Sequence, residues 1–368
     1  MKKILTLFLI LALCLSLVIG LVACNKECDY HLDEDGNSRC DVCGKELQIN
    51  DEQNTNNSND NAGDDNNQGD DDNQINVVVV PKAEYERETI EGVTYIYYGT
   101  LPQEAVDLQL NEVLSNLVSN EGQLVAGANG YYTYDNKEYA CLVGAKENEN
   151  VRLSNGLEIK EGGLYFFKVQ KIKWRVLEEN NGRAVLLCDN VIAEHCFNAT
   201  GTYNQSLGTL IGTPYSANDY APSALRNYLN NTLINEIFSL RERQSIYENT
   251  VLNRPGESAF MLTQGMDTSS IDKMYVPSYW EINTKYDLKK EESKVGGVEV
   301  KDYQVAKGFT VKEIAGHYYA SWWLRTSGKH INEGNVVHYD GTIGTASSCS
   351  VNLDAVVGIR PVITIRTV

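Results

Sequence analysis

Ser321-Trp322-Trp323-Leu324-Arg325, then Val336-Val337-His338-Tyr339-Asp340-Gly341-Thr342-Ile343, then Gly358-Ile359-Arg360-Pro361-Val362-Ile363-Thr364-Ile365: these three stretches decide how the chain is read. Aromatic and β-branched residues in short apolar runs predict strands. A cation on such a strand needs polar partners inside the core, because an unpaired buried charge is strongly destabilising. Trp322, Trp323, Arg325 and Arg360 therefore read as keystones of a β-rich core, and Trp174 and Arg175 repeat the pairing in Ile172–Leu177. Each arginine calls for a carboxylate, a carbonyl or a rim position. Asp354, Asp340 and Asp219 are candidates by residue type.

Working upstream, Tyr95–Tyr98, Tyr131–Tyr134, Glu138–Val143, Gly163–Val169 and Ala184–Cys188 also have strand composition. Asp135-Asn136 and Asn180-Asn181-Gly182 sit between such runs as hairpin turns, since these residues tolerate the left-handed backbone that tight turns require. Pro102 is read as opening a helix with Val106, Leu110, Val113, Leu114 and Leu117 on one face. Pro222-Ser223 begins another, with Leu225, Tyr228, Leu229 and Leu233 aligned, and Ser239-x-x-Glu242 is a capping box. Residues 277–312, polar and broken by Gly296-Gly297, read as a long surface loop with one brief strand. The expected class is α+β: antiparallel hairpins with inserted helices.

The beginning of the chain carries delivery signals. Lys2-Lys3 precedes an uncharged run from Ile4 to Val22, the pattern of a secretory signal over residues 1–23. Leu21-Val22-Ala23-Cys24 resembles the lipobox of bacterial lipoproteins, in which Cys24 would be lipidated and become the mature N-terminus. An uncleaved anchor is the alternative. Residues 24–49 hold Cys28, His31, Cys40 and Cys43, a ligand set and spacing suited to one tetrahedral zinc. A disulfide is a second reading. Calcium on Asp33, Asp35, Asn37 and Asp41 is a third. Residues 50–76 are nearly all Asn, Asp, Gln and Gly and read as a disordered tether, about 30 Å end to end for a flexible coil. A globular head follows over 77–368.

The chain has 368 residues and a formal net charge of -18, a good part of it in the tether. Clustered Lys and Arg are not evident, so nucleic acid is excluded as a partner. Tyr outnumbers Phe by 22 to 7, which suits half-buried strand positions and equally a tyrosine-lined ligand surface.

Tyr97–Gln103, Ile172–Leu177, Ser223–Asn230, Trp322–Arg325 and Gly358–Pro361 follow one another as in a family of extracellular bacterial domains of uncharacterised function, which the chain resembles over about 89–368. That family is similar in turn to the formylglycine-generating-enzyme branch of the C-type-lectin-like fold. The resemblance implies pairing of the first and last strands and a ligand-facing side built from central loops. Formylglycine-generating enzymes use paired cysteines near their C-terminal end, where this chain has only Cys349. His195-Cys196 are adjacent, but adjacency does not orient an imidazole toward a thiol. Cys141, Cys188, Cys196 and Cys349 allow three full pairings or reduced thiols. His317, His330 and His338 read as loop histidines or a metal trio.

The reading that results is a lipid-anchored, extracytoplasmic protein presenting a lectin-like recognition domain for a glycan, peptide or cell-wall ligand. An extracellular enzyme of unrecognised mechanism acting on such polymers is the alternative.

Overall fold

The computed structural model describes residues 80–119, 123–253, 268–288, 297–328, 330–343 and 350–368. All belong to the unit Asn76–Val368. The signal segment, Cys24, the Cys28/His31/Cys40/Cys43 set, the tether and Cys349 lie outside the described residues.

Two sheets share one core. In the larger, the neighbouring strands run Glu86–Ile90, Val93–Ala105, Leu164–Asn180, Arg183–Cys188, Val362–Arg366 and Met274–Tyr275. Lys137–Val143 joins it against the first residues of the long Leu164–Asn180 strand. The smaller sheet runs Ser350–Asn352, Glu333–Val337, Trp322–Ser327, Val357–Ile359 and Ala193–His195, its one parallel contact joining Trp322 to Gly358. Both sheets are continuous with the same two chain segments. Residues 188–193 leave the larger sheet for the smaller, and residues 359–362 return beside them, bonded through Cys188 N to Pro361 O and Ile192 N to Ile359 O.

The tight turns follow from residue chemistry. Asn181-Gly182, Asp135-Asn136, Glu91-Gly92 and Ala315-Gly316 all have positive φ at both central positions, the geometry that matches strand twist in two-residue hairpins. Gly334 answers a different need: a Cβ there would lie 2.6 Å from the Trp323 ring, so the tryptophan packs flat only against a glycine.

The expectation of an α+β fold is overturned. Of the described residues 42% are strand and 18% helix, so the architecture is mostly β. The inserted helices are short. Among the described residues Leu108–Ser119 and one continuous run over 224–237, which passes from α to π and back, are the longest; the others have five residues or fewer. Pro102 does not open a helix; it lies in the Val93–Ala105 strand beside register shifts, where a missing N–H is tolerated. Asp107 caps the helix instead, its Oδ1 accepting from Leu110 N at 2.8 Å. Residues 277–312 are not a surface loop either. Ile282, Leu288, Val298, Val300, Val305 and Ala306 are buried there, around the helical turns Glu281–Lys285 and Asp302–Ala306. The first and last strands do not pair, although Ala83 N reaches Arg366 O at 2.9 Å just ahead of the first. Ser223 and the Ser239/Glu242 capping box stand where the sequence puts them.

Trp174, Trp322 and Trp323 are fully buried. Trp174 Nε1 donates to Tyr98 O and Trp323 Nε1 to His195 O, each at 2.8 Å. Truncating a buried aromatic of this kind costs about 3–5 kcal/mol. Trp323→Ala should therefore lower Tm by many degrees or give insoluble protein, whereas Trp280→Ala, at an exposed ring, should leave Tm nearly unchanged. Equal melting of the two variants in a thermal scan would contradict this core.

Candidate functional site: a polar cleft beside the helical segment

Arg325 and Arg360 find their hydrogen-bond partners through the fold, at Glu281 and Cys188 O, and not at Asp354, Asp340 or Asp219. Arg325 is 5% exposed and forms a two-pronged pair with Glu281, Nη1 to Oε2 at 2.5 Å and Nη2 to Oε1 at 2.8 Å. It also donates to Val276 O and Leu252 O. Glu281 belongs to the stretch read as surface loop, which is why it was overlooked. Arg360, 2% exposed, donates from Nε to Cys188 O at 2.6 Å and lies 5.3 Å over the Trp322 ring. Burial holds its pKa below the ordinary arginine value, with Asp189 pulling the other way. Arg175 is buried in the Leu164–Asn180 strand, opposite Tyr95 and Leu187. Asp354 is engaged by Thr200, Asp340 by Thr342 N and Asp219 by Ser216 N.

His195 and Cys196 do not form an activated pair. His195 Nδ1 lies 2.7 Å from Cys196 O, so that nitrogen carries the hydrogen and cannot accept the thiol proton 3.9 Å away. The ring is stacked on Tyr228, and burial raises the Cys196 thiol pKa. Cys141, Cys188 and Cys196 are free thiols. His317 pairs with Glu299 at 2.6 Å. Among the described residues no three His, Cys, Asp or Glu side chains are grouped as a metal ion would need.

A polar cleft lies elsewhere. Arg226, Asn227, Asn230, Asn231, Ile234, Glu248, Ile271 and Lys273 line a cleft of about 280 Å³. One wall is helical. Ser223 caps the segment by accepting from Arg226 N, Leu225, Leu229 and Leu233 face the core, and Leu229–Leu233 widens into a π-turn. The other wall is the hairpin Asn249–Asn253/Thr268–Asp272.

Asp272, 1% exposed, locks the two walls together. Its Oδ1 accepts from Arg226 Nε at 2.6 Å and Asn230 Nδ2 at 3.3 Å, and its Oδ2 from Ser270 Oγ at 2.5 Å. Asn230 extends the lock, its Oδ1 accepting from Lys273 N and Met274 N while its Nδ2 reaches Met274 O. Charge-assisted bonds to a buried carboxylate are the strong kind. Arg226 and Asn230 are thus spent on structure, whereas Asn227, Asn231 and Glu248 lie outside this network. Asn231 Nδ2 donates to Asn227 Oδ1 at 2.7 Å, so the exposed amide pair keeps a donor on Asn227 and an acceptor on Asn231. Ser223–Asn230 stands out in the sequence as an ordered motif, but its partner Asp272 lies more than forty residues on and carries no local signal.

Residues 181–367 match the family described as Domain of unknown function (DUF6273). The chain belongs to this family. No curated protein and no solved structure matches it. The family segment begins at the Asn180–Arg183 turn, well after the Thr89 start that the resemblance implied, and it contains the whole helical wall, the hairpin and Asp272. The cleft is therefore made entirely by the DUF6273 portion.

The half-buried Glu194 and the buried Asp219, the latter pushed up to about 6 by burial, both contribute to a pH dependence. Burial pushes Glu194 up to about 7 from 4.5, against the opposing bond from Thr310 N at 2.6 Å. The folded chain then holds this proton more tightly than the unfolded chain. That contribution to stability is complete below about pH 4.5 and is lost as pH rises through about 7. Tm should fall across this window, and Glu194→Gln should flatten the fall and melt higher than wild type at pH 8. A variant with the wild-type slope would assign the dependence to other groups.

Proposed function

We propose that this protein is an exported, lipid-anchored recognition protein whose DUF6273 head binds an extracellular peptide, glycan or cell-wall component in the Asn227/Asn231/Lys273 cleft. The observation that carries this reading is the division of labour in the cleft. A buried carboxylate fixes the walls through Arg226 and Asn230, while the exposed amides of Asn227 and Asn231, the exposed Glu248 carboxylate and the half-buried Lys273 ammonium, which also donates to Arg243 O at 3.4 Å, stand outside the lock. Walls fixed in advance reduce the ordering cost of binding. A convergence of donors and acceptors beside apolar Ile234 and Ile271 is the composition of a binding site. Delivery rests on the signal over 1–23 and on Cys24, whose acyl chains would hold the membrane more firmly than a single chain does.

The test is binding of the purified head to cell-wall sacculi and to secreted peptides from the same culture. Asn231→Ala should weaken capture at least tenfold at unchanged Tm, because its exposed side chain lies outside the Asp272 lock, and Lys273→Ala should weaken capture likewise with at most a small fall in Tm from the lost bond to Arg243 O. Capture that Asn231→Ala and Lys273→Ala both retain would remove the cleft from the function. In cells, Cys24→Ala should block signal removal and incorporation of a palmitate analogue; normal processing would refute the anchor.

We propose also that Cys28, His31, Cys40 and Cys43 hold one zinc ion. The mature chain should bind one equivalent under reducing conditions and lose it in Cys40→Ser. A response to calcium alone would favour the aspartates instead.

A further inference from the structure

Between Glu194 and Asp219 the chain has no Asp, Glu, Lys or Arg, although these make up 22% of its residues. The middle of this run forms a lobe of its own, built on the two-stranded hairpin Tyr203–Asn204/Thr209–Leu210, which joins neither main sheet. Alternation sets its two faces. Gly208 and Leu210 are buried, while Leu207 and Ile211 are 67% and 64% exposed with Thr209 between them, so positions 207, 209 and 211 point outward. The neighbours agree: Tyr203, opposite Leu210, is buried, whereas Asn204 and Ser216, opposite Thr209, are not. The inner face is seated on the head, for a Cβ on Gly208 would lie 2.4 Å from Ile331 Cδ1. The outer face presents two aliphatic side chains among uncharged polar ones. Ile90 and Ile314, exposed elsewhere, each adjoin a glutamate, Glu91 and Glu313.

The lobe also satisfies its own peptide groups. Leu207 N donates to Asn204 Oδ1, Gly208 N to Asn204 O, Leu210 N to Tyr215 O, Ile211 N to Thr202 O, Thr213 N to Leu210 O and Tyr215 N to Thr213 Oγ1. A segment that enters a medium poor in hydrogen-bond partners must do this, and must bring no charge with it. Contact with a polar partner imposes neither condition.

We infer that the outer face of this lobe, centred on Leu207 and Ile211, docks on the surface of the lipid bilayer that carries the chain. The inference rests on the anchor proposed at Cys24. With the tether read over residues 50–76, that anchor keeps the head at high effective concentration beside the bilayer, so a shallow apolar contact suffices. Charge points to the same face. The chain has a formal net charge of -18, and an anionic bilayer repels carboxylates lying within about a Debye length, about 10 Å at 0.1 M salt. An uncharged lobe can approach where the acidic surface cannot. Asp354, which accepts from Thr200 Oγ1 at 2.6 Å, is bonded to the run outside the hairpin.

For the test, the mature chain with an N-terminal hexahistidine tag is held on phosphatidylcholine vesicles that contain a nickel-chelating lipid. This supplies the anchor artificially, so the result does not depend on acylation, which Cys24→Ala tests separately. Leu207→Trp places a reporter in the lobe and Ile90→Trp places one on the Glu86–Ile90 strand. With phosphatidylcholine brominated on its acyl chains, the added emission of Leu207→Trp should be quenched at least fivefold more than that of Ile90→Trp, equally at 0.1 and 0.5 M NaCl. Adding Ile211→Asp, or the milder Ile211→Ser, should abolish the difference at unchanged Tm, because the side chain is exposed. Asn231→Ala should leave it intact, which separates this contact from the cleft. Equal quenching of the two reporters overturns the inference, as does quenching that survives Ile211→Asp or that disappears in 0.5 M NaCl. A dimer of the untethered chain that Ile211→Asp dissolves would make a second copy the occupant and overturn the bilayer.

Discussion

The fold depends on one hydrogen-bonded corner. Residues 188–193 and 359–362 each pass from one sheet to the other, and the Arg360 guanidinium ties the two crossings by donating to Cys188 O from above the Trp322 ring. Sheets joined at corners need strands that change sheets, and the backbone groups freed there must be satisfied. Arg360 serves that need as a buried cation, whose desolvation the charge of Asp189 offsets in part. Gly358 completes the corner: a Cβ would lie 2.6 Å from Ser321 O and 2.7 Å from Val191, so only glycine lets the crossings approach the Trp322 strand.

The cleft repeats this logic with opposite charge. Asp272 is a buried anion that gathers Arg226, Asn230 and Ser270, as Arg360 is a buried cation that gathers a carbonyl and a ring. In both places a charge withdrawn from water ties two elements together by hydrogen bonds. Removing one partner of such a set is far more damaging than its net contribution suggests, because the other charge is then orphaned. The π-turn at Leu229–Leu233 fits this picture: the widened turn includes Asn230, whose amide spans both the Asp272 carboxylate and the Lys273–Met274 backbone.

What could be read from the sequence was local. Asn181-Gly182 and Asp135-Asn136 announce their turns because only certain residues accept positive φ, and Ser223 and the Ser239/Glu242 box announce helix starts because their side chains satisfy nearby N–H groups. The tryptophan strands were legible because so much apolar surface has one place to go. Glu281 was not, since a carboxylate in a polar stretch looks like solvent-facing surface until Arg325 is brought to it. Pro102 misled for a related reason: its helix-starting habit is a preference, and a strand irregularity accommodates it equally well. The cleft required Asp272 and Asn230 together, a pairing made by topology alone.

The meeting of Ala83 with Arg366 bears on mechanics. Ala83 N bonds to Arg366 O, Ser245 Oγ reaches Lys82 O, and the Asn181-Gly182 turn packs against Val368. A pull on the chain ahead of Val80, as a ligand held against flow would exert, therefore loads the Val362–Arg366 strand directly. That strand lies inside the larger sheet between Arg183–Cys188 and Met274–Tyr275. The load would reach the interior of the sheet before the Glu86–Ile90 edge could peel away. Traction applied ahead of Val80 would thus meet an interior strand first.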